Sequence, residues 1–163
     1  MRGVDMEKID WKNLSYYDFI GFVAVTAFLL FVLYFGGLWY TTYDYRIQMR
    51  DQIVEMYQQL PNPIPPIEDD YGVHQRWLVF YIDGVKVLNK PQPENVINEY
   101  KKALEKEGWA TEREYEHVRN DKNKIYGINM RKGEFILSVS ARENRDSINI
   151  HLIKRDWIYN KGF

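Results

Sequence analysis

Few residues in this chain of 163 have the side chains that chemistry needs. His74, His117 and His151 are the candidates for metal binding or proton transfer. None has ligand spacing to another histidine, and there is no cysteine to complete a zinc set. Ser138 and Ser140 occupy alternate positions of an apolar stretch without the G-x-S-x-G elbow that exposes a hydrolase nucleophile. No cysteine nucleophile exists, and neither G-x-G-x-x-G nor G-x-x-x-x-G-K-[ST] occurs to cradle a phosphate. The adjacent carboxylates Glu68, Asp69 and Asp70 lack the spacing and the glycine of a calcium loop, and are expected in a solvated acidic turn. A two-carboxylate glycosidase needs a deep cleft, for which a small domain has little room. The chain therefore carries no catalytic, cofactor or metal assignment, and the expectation is a protein that is not an enzyme. The three histidines are placed respectively in a linker, on an exposed strand edge and on the outer face of the last strand.

The elements around these residues are dominated by Phe19 to Tyr40, FIGFVAVTAFLLFVLYFGGLWY, a run without charge or proline. A helix of this length rises about 33 Å at ~1.5 Å per residue, against about 30 Å of bilayer hydrocarbon. Its apolar character continues all round, unlike that of a core helix. It is longer than the apolar region of a cleaved signal peptide, and it ends in bulky Leu38-Trp39-Tyr40 rather than in small residues. Tyr16 and Tyr17 at one end and Trp39, Tyr40 and Tyr43 at the other suit the headgroup level of both interfaces. The expectation is a signal-anchor helix at 19–40 in a single-pass cell-membrane protein, preceded by a cytosolic tail at 1–18. The excess of Arg2, Lys8 and Lys12 over Arg46 and Arg50 favours a cytoplasmic N-terminus, and the absence of cysteine suits an extracytoplasmic domain.

Residues 41–60 contain no glycine or proline and predict a juxtamembrane stalk helix that prolongs the span. Met49, Ile53, Met56 and Leu60 recur at coiled-coil spacing over about two heptads. They either bind a partner helix or pack against the chain's own domain. Prolines 61, 63, 65 and 66 stop the helix and predict a stiff, extended linker over 61–75.

From residue 76 to 163 the pattern is that of one α+β domain. Arg76 to Ile82 reads as a strand, with Asp83-Gly84 as its hairpin turn. Pro91 and Pro93 open a helix whose stripe is Val96, Ile97, Tyr100, Ala103 and Leu104, closed by Gly108. Strands follow at Thr111–Val118, with Glu112, Glu114 and Glu116 on a solvent side. Alternating Tyr126/Ile128/Met130, Phe135/Leu137/Val139 and Ile148/Ile150/Leu152 make an antiparallel meander. The expected architecture is two layers, one helix on an antiparallel sheet of about four to six strands. Tyr100, Trp109 and Tyr126 are the aromatics expected to line any pocket between the layers.

Charge after Tyr40 is balanced, with nineteen residues of each sign, so the basic stripe of a nucleic-acid module is missing. The partners implied are the bilayer through residues 19–40 and a protein in or at the membrane. The most direct functional expectation is a non-catalytic subunit or accessory factor of a membrane or envelope complex. Alternatives are an extracytoplasmic domain sensing a small ligand and a membrane-held immunity protein.

The run Leu60-Pro61-x-Pro63-x-Pro65-Pro66, a strand, then Val96, Tyr100, Leu104, Gly108 and Trp109, then several strands, resembles small membrane-anchored bacterial α+β domains of uncharacterised function. The resemblance covers about Leu60 to Leu152. It implies the architecture and no catalytic residue.

Overall fold

A computed structural model describes residues 16–76, 79–89, 91–118 and 123–155. The chain forms two units, Met1–Asp44 and Tyr45–Phe163. The proposed tail at 1–18 lies almost wholly outside the described residues, and so does most of the polar turn preceding the fourth strand.

The first unit contains α1, Tyr16–Thr41. From Phe19 to Thr41 it is long and apolar enough to cross a membrane, and none of that stretch is buried against protein. Tyr16, Tyr17, Trp39 and Tyr40 stand exposed at its two ends. The helix does not run on unbroken into the stalk. The Thr41 hydroxyl donates to the Gly37 carbonyl at 2.9 Å and that of Thr42 to Leu38 at 2.7 Å. The Leu38 carbonyl also accepts from the Thr42 amide at 3.0 Å, so these hydroxyls add second bonds to the last-turn carbonyls. A turn at Thr42 follows, and α2 spans Tyr43–Gln58.

The second unit is α+β. Its sheet has six strands: β1 Glu68–Arg76, β2 Val79–Val87, β3 Ala110–Val118, β4 Lys124–Lys132, β5 Phe135–Arg142 and β6 Ser147–Lys154. They lie in the order β1-β2-β6-β5-β4-β3, and every neighbouring pair is antiparallel. Helix α3, Pro93–Lys106, links β2 to β3. Its cap follows from Gly108 at φ +83°, which lets the Trp109 amide turn back to the Leu104 carbonyl at 3.0 Å. Two helices, not one, cover the sheet. From α3, Val96, Ile97, Tyr100 and Leu104 enter the core, and from α2 Met49, Ile53 and Tyr57 join it.

Three sequence expectations change. The stretch 61–75 is not all linker, because β1 begins at Glu68. Its residues lack strand alternation, and backbone pairing with β2 at the sheet edge is what holds them extended. Asp83-Gly84 is not a turn but mid-strand in β2, opposite both Tyr71/Gly72 and His151/Ile150. A Cβ on Gly84 would meet the Tyr57 hydroxyl at 2.0 Å, so the glycine makes room for a helix side chain on the sheet. Finally, the three glutamates of β3 do not share a side. A bulge between Thr111 and Arg113 breaks the alternation, so that Glu112 pairs with Arg131 and Glu114 turns to Lys101 of α3.

Candidate functional site

With α2 and α3 on one face, no element of the second unit among the described residues lies over the opposite face of the sheet. One residue from each strand lines up across it. Gly72 faces Asp83, Asp83 faces His151, His151 faces Ser138, Ser138 faces Asn129, and Asn129 faces Arg113. Antiparallel register makes this row, because side chains directly opposite on neighbouring strands share a face. The chain neighbours of these residues, Ile82, Leu152, Leu137 and Met130, form a fully buried row on the other face.

At the β1 end the row carries an imidazole–carboxylate cluster. His151 Nδ1 lies 2.7 Å from Asp83 Oδ1, and His74 Nε2 is 3.8 Å from Asp83 Oδ2. The Tyr81 ring stacks on His74 at 5.2 Å and meets His151 at 5.5 Å. Gly72 is what lets His74 fold back, since a Cβ there would sit 2.8 Å from its Nε2. His74 therefore belongs to a strand rather than a linker, and His151 lies on the open face as expected. No group of three or more His, Asp or Glu with metal-binding geometry occurs among the described residues.

The order Asp83–His151–Ser138 follows that of a hydrolase triad, but its surroundings do not. Ser138 lies in the middle of β5, whose backbone pairs with β4 on one side and β6 on the other. Amides spent in those ladders are not free to face a developing oxyanion. No hydrogen bond joins Ser138 to His151 among the described residues.

Further along, β3, β4 and β5 shape a shallow depression of about 580 Å³. Arg113, Tyr115, His117, Asn129, Ser138 and Ser140 line it. The Tyr115 ring lies over Gly127, where a Cβ would meet its Cζ at 2.3 Å.

The aromatics expected to line a pocket separate. Tyr100 and Trp109 are buried in the packed core. Tyr126 alone borders a smaller cavity of about 260 Å³ between α3 and the β3–β4 edge, with Glu94, Asn98, Glu114 and Glu116. Lys101 bonds Glu114 at 2.5 Å beside it, and this carboxylate holds the ammonium above the ordinary lysine value. Of the stalk residues, Met49, Ile53 and Leu60 are buried in the domain's own core and Met56 packs against it. Three of the four are thus closed to a partner helix.

A buried polar knot ties α2 to the sheet. Lys86, only 2% exposed, pairs with Asp69 at 2.8 Å, donates to Asn62 and lies under the Tyr57 ring. Tyr57 in turn donates to Asp69 at 3.3 Å. Burial first, and then the Asp69 charge, raises the Tyr57 phenol above its usual range, and the same two causes raise Tyr100. Sequence reasoning missed Asp83, Asn129 and Arg113. Each is unremarkable alone, and only the strand register brings them into one row.

No protein-family model matches the chain, and no curated protein matches it.

Proposed function

We propose that this chain is a single-pass membrane protein in which α1 holds a small, non-catalytic α+β domain at the membrane surface. There the domain serves as an interaction subunit of a membrane or envelope complex, facing away from the cytoplasm. The observation that carries the reading is the state of Phe19–Thr41, long and apolar enough to cross a membrane and with no residue of the span buried by protein. In water such a helix would leave an apolar surface far larger than soluble monomers tolerate, whereas hydrocarbon removes that cost. A cleaved signal peptide is disfavoured by the bulky Leu38-Trp39-Tyr40 at the end of the run.

Membrane fractionation of the expressed chain tests the anchor. The full-length chain is expected in the pellet after alkaline extraction; a soluble product lacking the first forty or so residues would refute it. Orientation is read from Lys102→Cys, on the exposed face of α3. An impermeant maleimide should label it in intact cells, and labelling only after lysis reverses the topology. The interaction role is tested by photo-crosslinkers at Glu99 and at Lys102, both exposed on α3. A discrete adduct from either supports it, and a chain that stays alone at both positions in native membranes speaks against it.

A ligand-sensing reading is favoured by a different observation, the polar depression on the open face.

A further inference from the structure

The depression on the open sheet face has a chemistry that narrows its occupant, and the inference goes beyond the anchoring role. From β5 to β3, Ser138, Asn129 and Arg113 stand directly opposite one another, with Ser140 one pleat away. Strands are spaced about 4.8 Å apart, so hydrogen-bonding groups recur at that interval across the row. None of these four side chains is engaged within the protein among the described residues. Their donors and acceptors point to solvent in a concave patch rather than along a convex rim.

The charge is lopsided. Glu116, the carboxylate in the lining, is neutralised by Lys124 at 2.7 Å. Arg113 is exposed and has no acidic partner among the described residues, which leaves one unmatched guanidinium at the β3 end. A guanidinium takes a carboxylate through two parallel hydrogen bonds. Beside it the half-buried Tyr115 side chain reaches across Gly127 and offers an aromatic surface in the lining.

We infer that this depression binds a carboxylate-bearing saccharide. The carboxylate meets Arg113, the ring hydroxyls meet Asn129, Ser138 and Ser140, and the apolar side of a pyranose lies on Tyr115. Other occupants fit less well. An extended peptide gains its affinity from unpaired strand edges, and here it would meet strands whose backbones are already paired. A protein interface of useful strength needs an apolar centre, and this row has hydroxyls and amides at its middle. A nucleic acid needs several cations, and the lining has one unmatched.

Titration calorimetry on the full chain in detergent micelles tests the assignment, with an oligogalacturonate as probe. Its methyl ester keeps ring and hydroxyls but removes the charge. The acid should bind and the ester should bind about tenfold more weakly, as expected for loss of one charge-assisted pair. Arg113→Ala should weaken the acid about tenfold and leave the ester unchanged. Ser138→Val should weaken both, and Asn129→Ala provides the same reading if the valine perturbs β5. Thermal midpoints unchanged by Arg113→Ala certify the fold. The inference is overturned if neither saccharide binds, if acid and ester bind alike, or if Arg113→Ala changes nothing. A poly-glutamate peptide that binds as well as the acid would overturn it too, because the site would then read carboxylates and not sugars. None of these outcomes bears on whether α1 spans a membrane.

Discussion

The two faces of the sheet use the same four strands, β2, β4, β5 and β6, offset by a single residue. Ile82, Leu152, Leu137 and Met130 face the helices; Asp83, His151, Ser138 and Asn129, one step along each strand, face away. Because strand side chains alternate, one backbone register places both rows. The first row is dictated by packing, since α2 and α3 close over it and exclude water. The second has no described element of its own unit over it and is free to be polar, so packing within the unit does not account for its composition. Residues there that differ from ordinary solvent-facing ones are where function should be sought.

The largest break in this comparison comes from the buried row. Leu137→Ala should cost about 2–5 kcal/mol in denaturant unfolding of the detergent-solubilised chain, since the side chain is fully enclosed. Lys86→Ala comes next at about 2–3 kcal/mol, because Asp69 and Asn62 lose a cation that is almost wholly buried. Lys86→Met, which keeps the stem, should recover part of that loss in the same measurement.

One substitution made on each face then sharpens the contrast. Gly84→Ala drives a Cβ into the buried Tyr57 ring, and should cost about 1–3 kcal/mol by forcing off-rotamer packing. Gly127→Ala meets Tyr115 just as closely, but that ring is half-buried and can swing outward. A change of about 0.5 kcal/mol or less is expected there. Equal costs at both positions would mean that the open face is packed as tightly as the core.

These contrasts also show what the sequence made legible. α1, α3 and the last three strands were plain because each signal is local: a charge-free run, a proline-to-glycine helix, a strict alternation of apolar residues. The α+β class followed from them. β1 was hidden, since Glu68 to Arg76 has no apolar alternation and owes its shape to β2. Asp83-Gly84 misled for the opposite reason. The dipeptide is a strong local turn signal, but a tertiary contact with Tyr57 outweighs it. The candidate site was least legible of all. His74 and His151 were visible as single residues, while their meeting at Asp83 depends on pairings between β1, β2 and β6.

Two phenols of the covered side carry a pH dependence that the open face lacks a counterpart for among the described residues. In the unfolded chain a tyrosine ionises near pH 10, whereas folded Tyr57 and Tyr100 hold their protons to higher pH. The folded state then binds more protons than the unfolded one above pH 10, so stability falls as pH rises there and is fully present below it. The slope is at most about 1.4 kcal/mol per pH unit for each phenol. Near neutrality the two residues separate. Tyr100 carries a buried hydroxyl with no hydrogen-bond partner among the described residues, and Tyr100→Phe should be neutral or stabilise by up to about 1 kcal/mol. Tyr57→Phe loses the bond to Asp69 and should destabilise by about 0.5–1.5 kcal/mol. Each variant should also flatten the alkaline limb in unfolding curves taken from pH 8 to 11. If both phenylalanine variants kept the full alkaline slope, the protons would belong to other groups. The covered face would then not be the origin of the pH dependence.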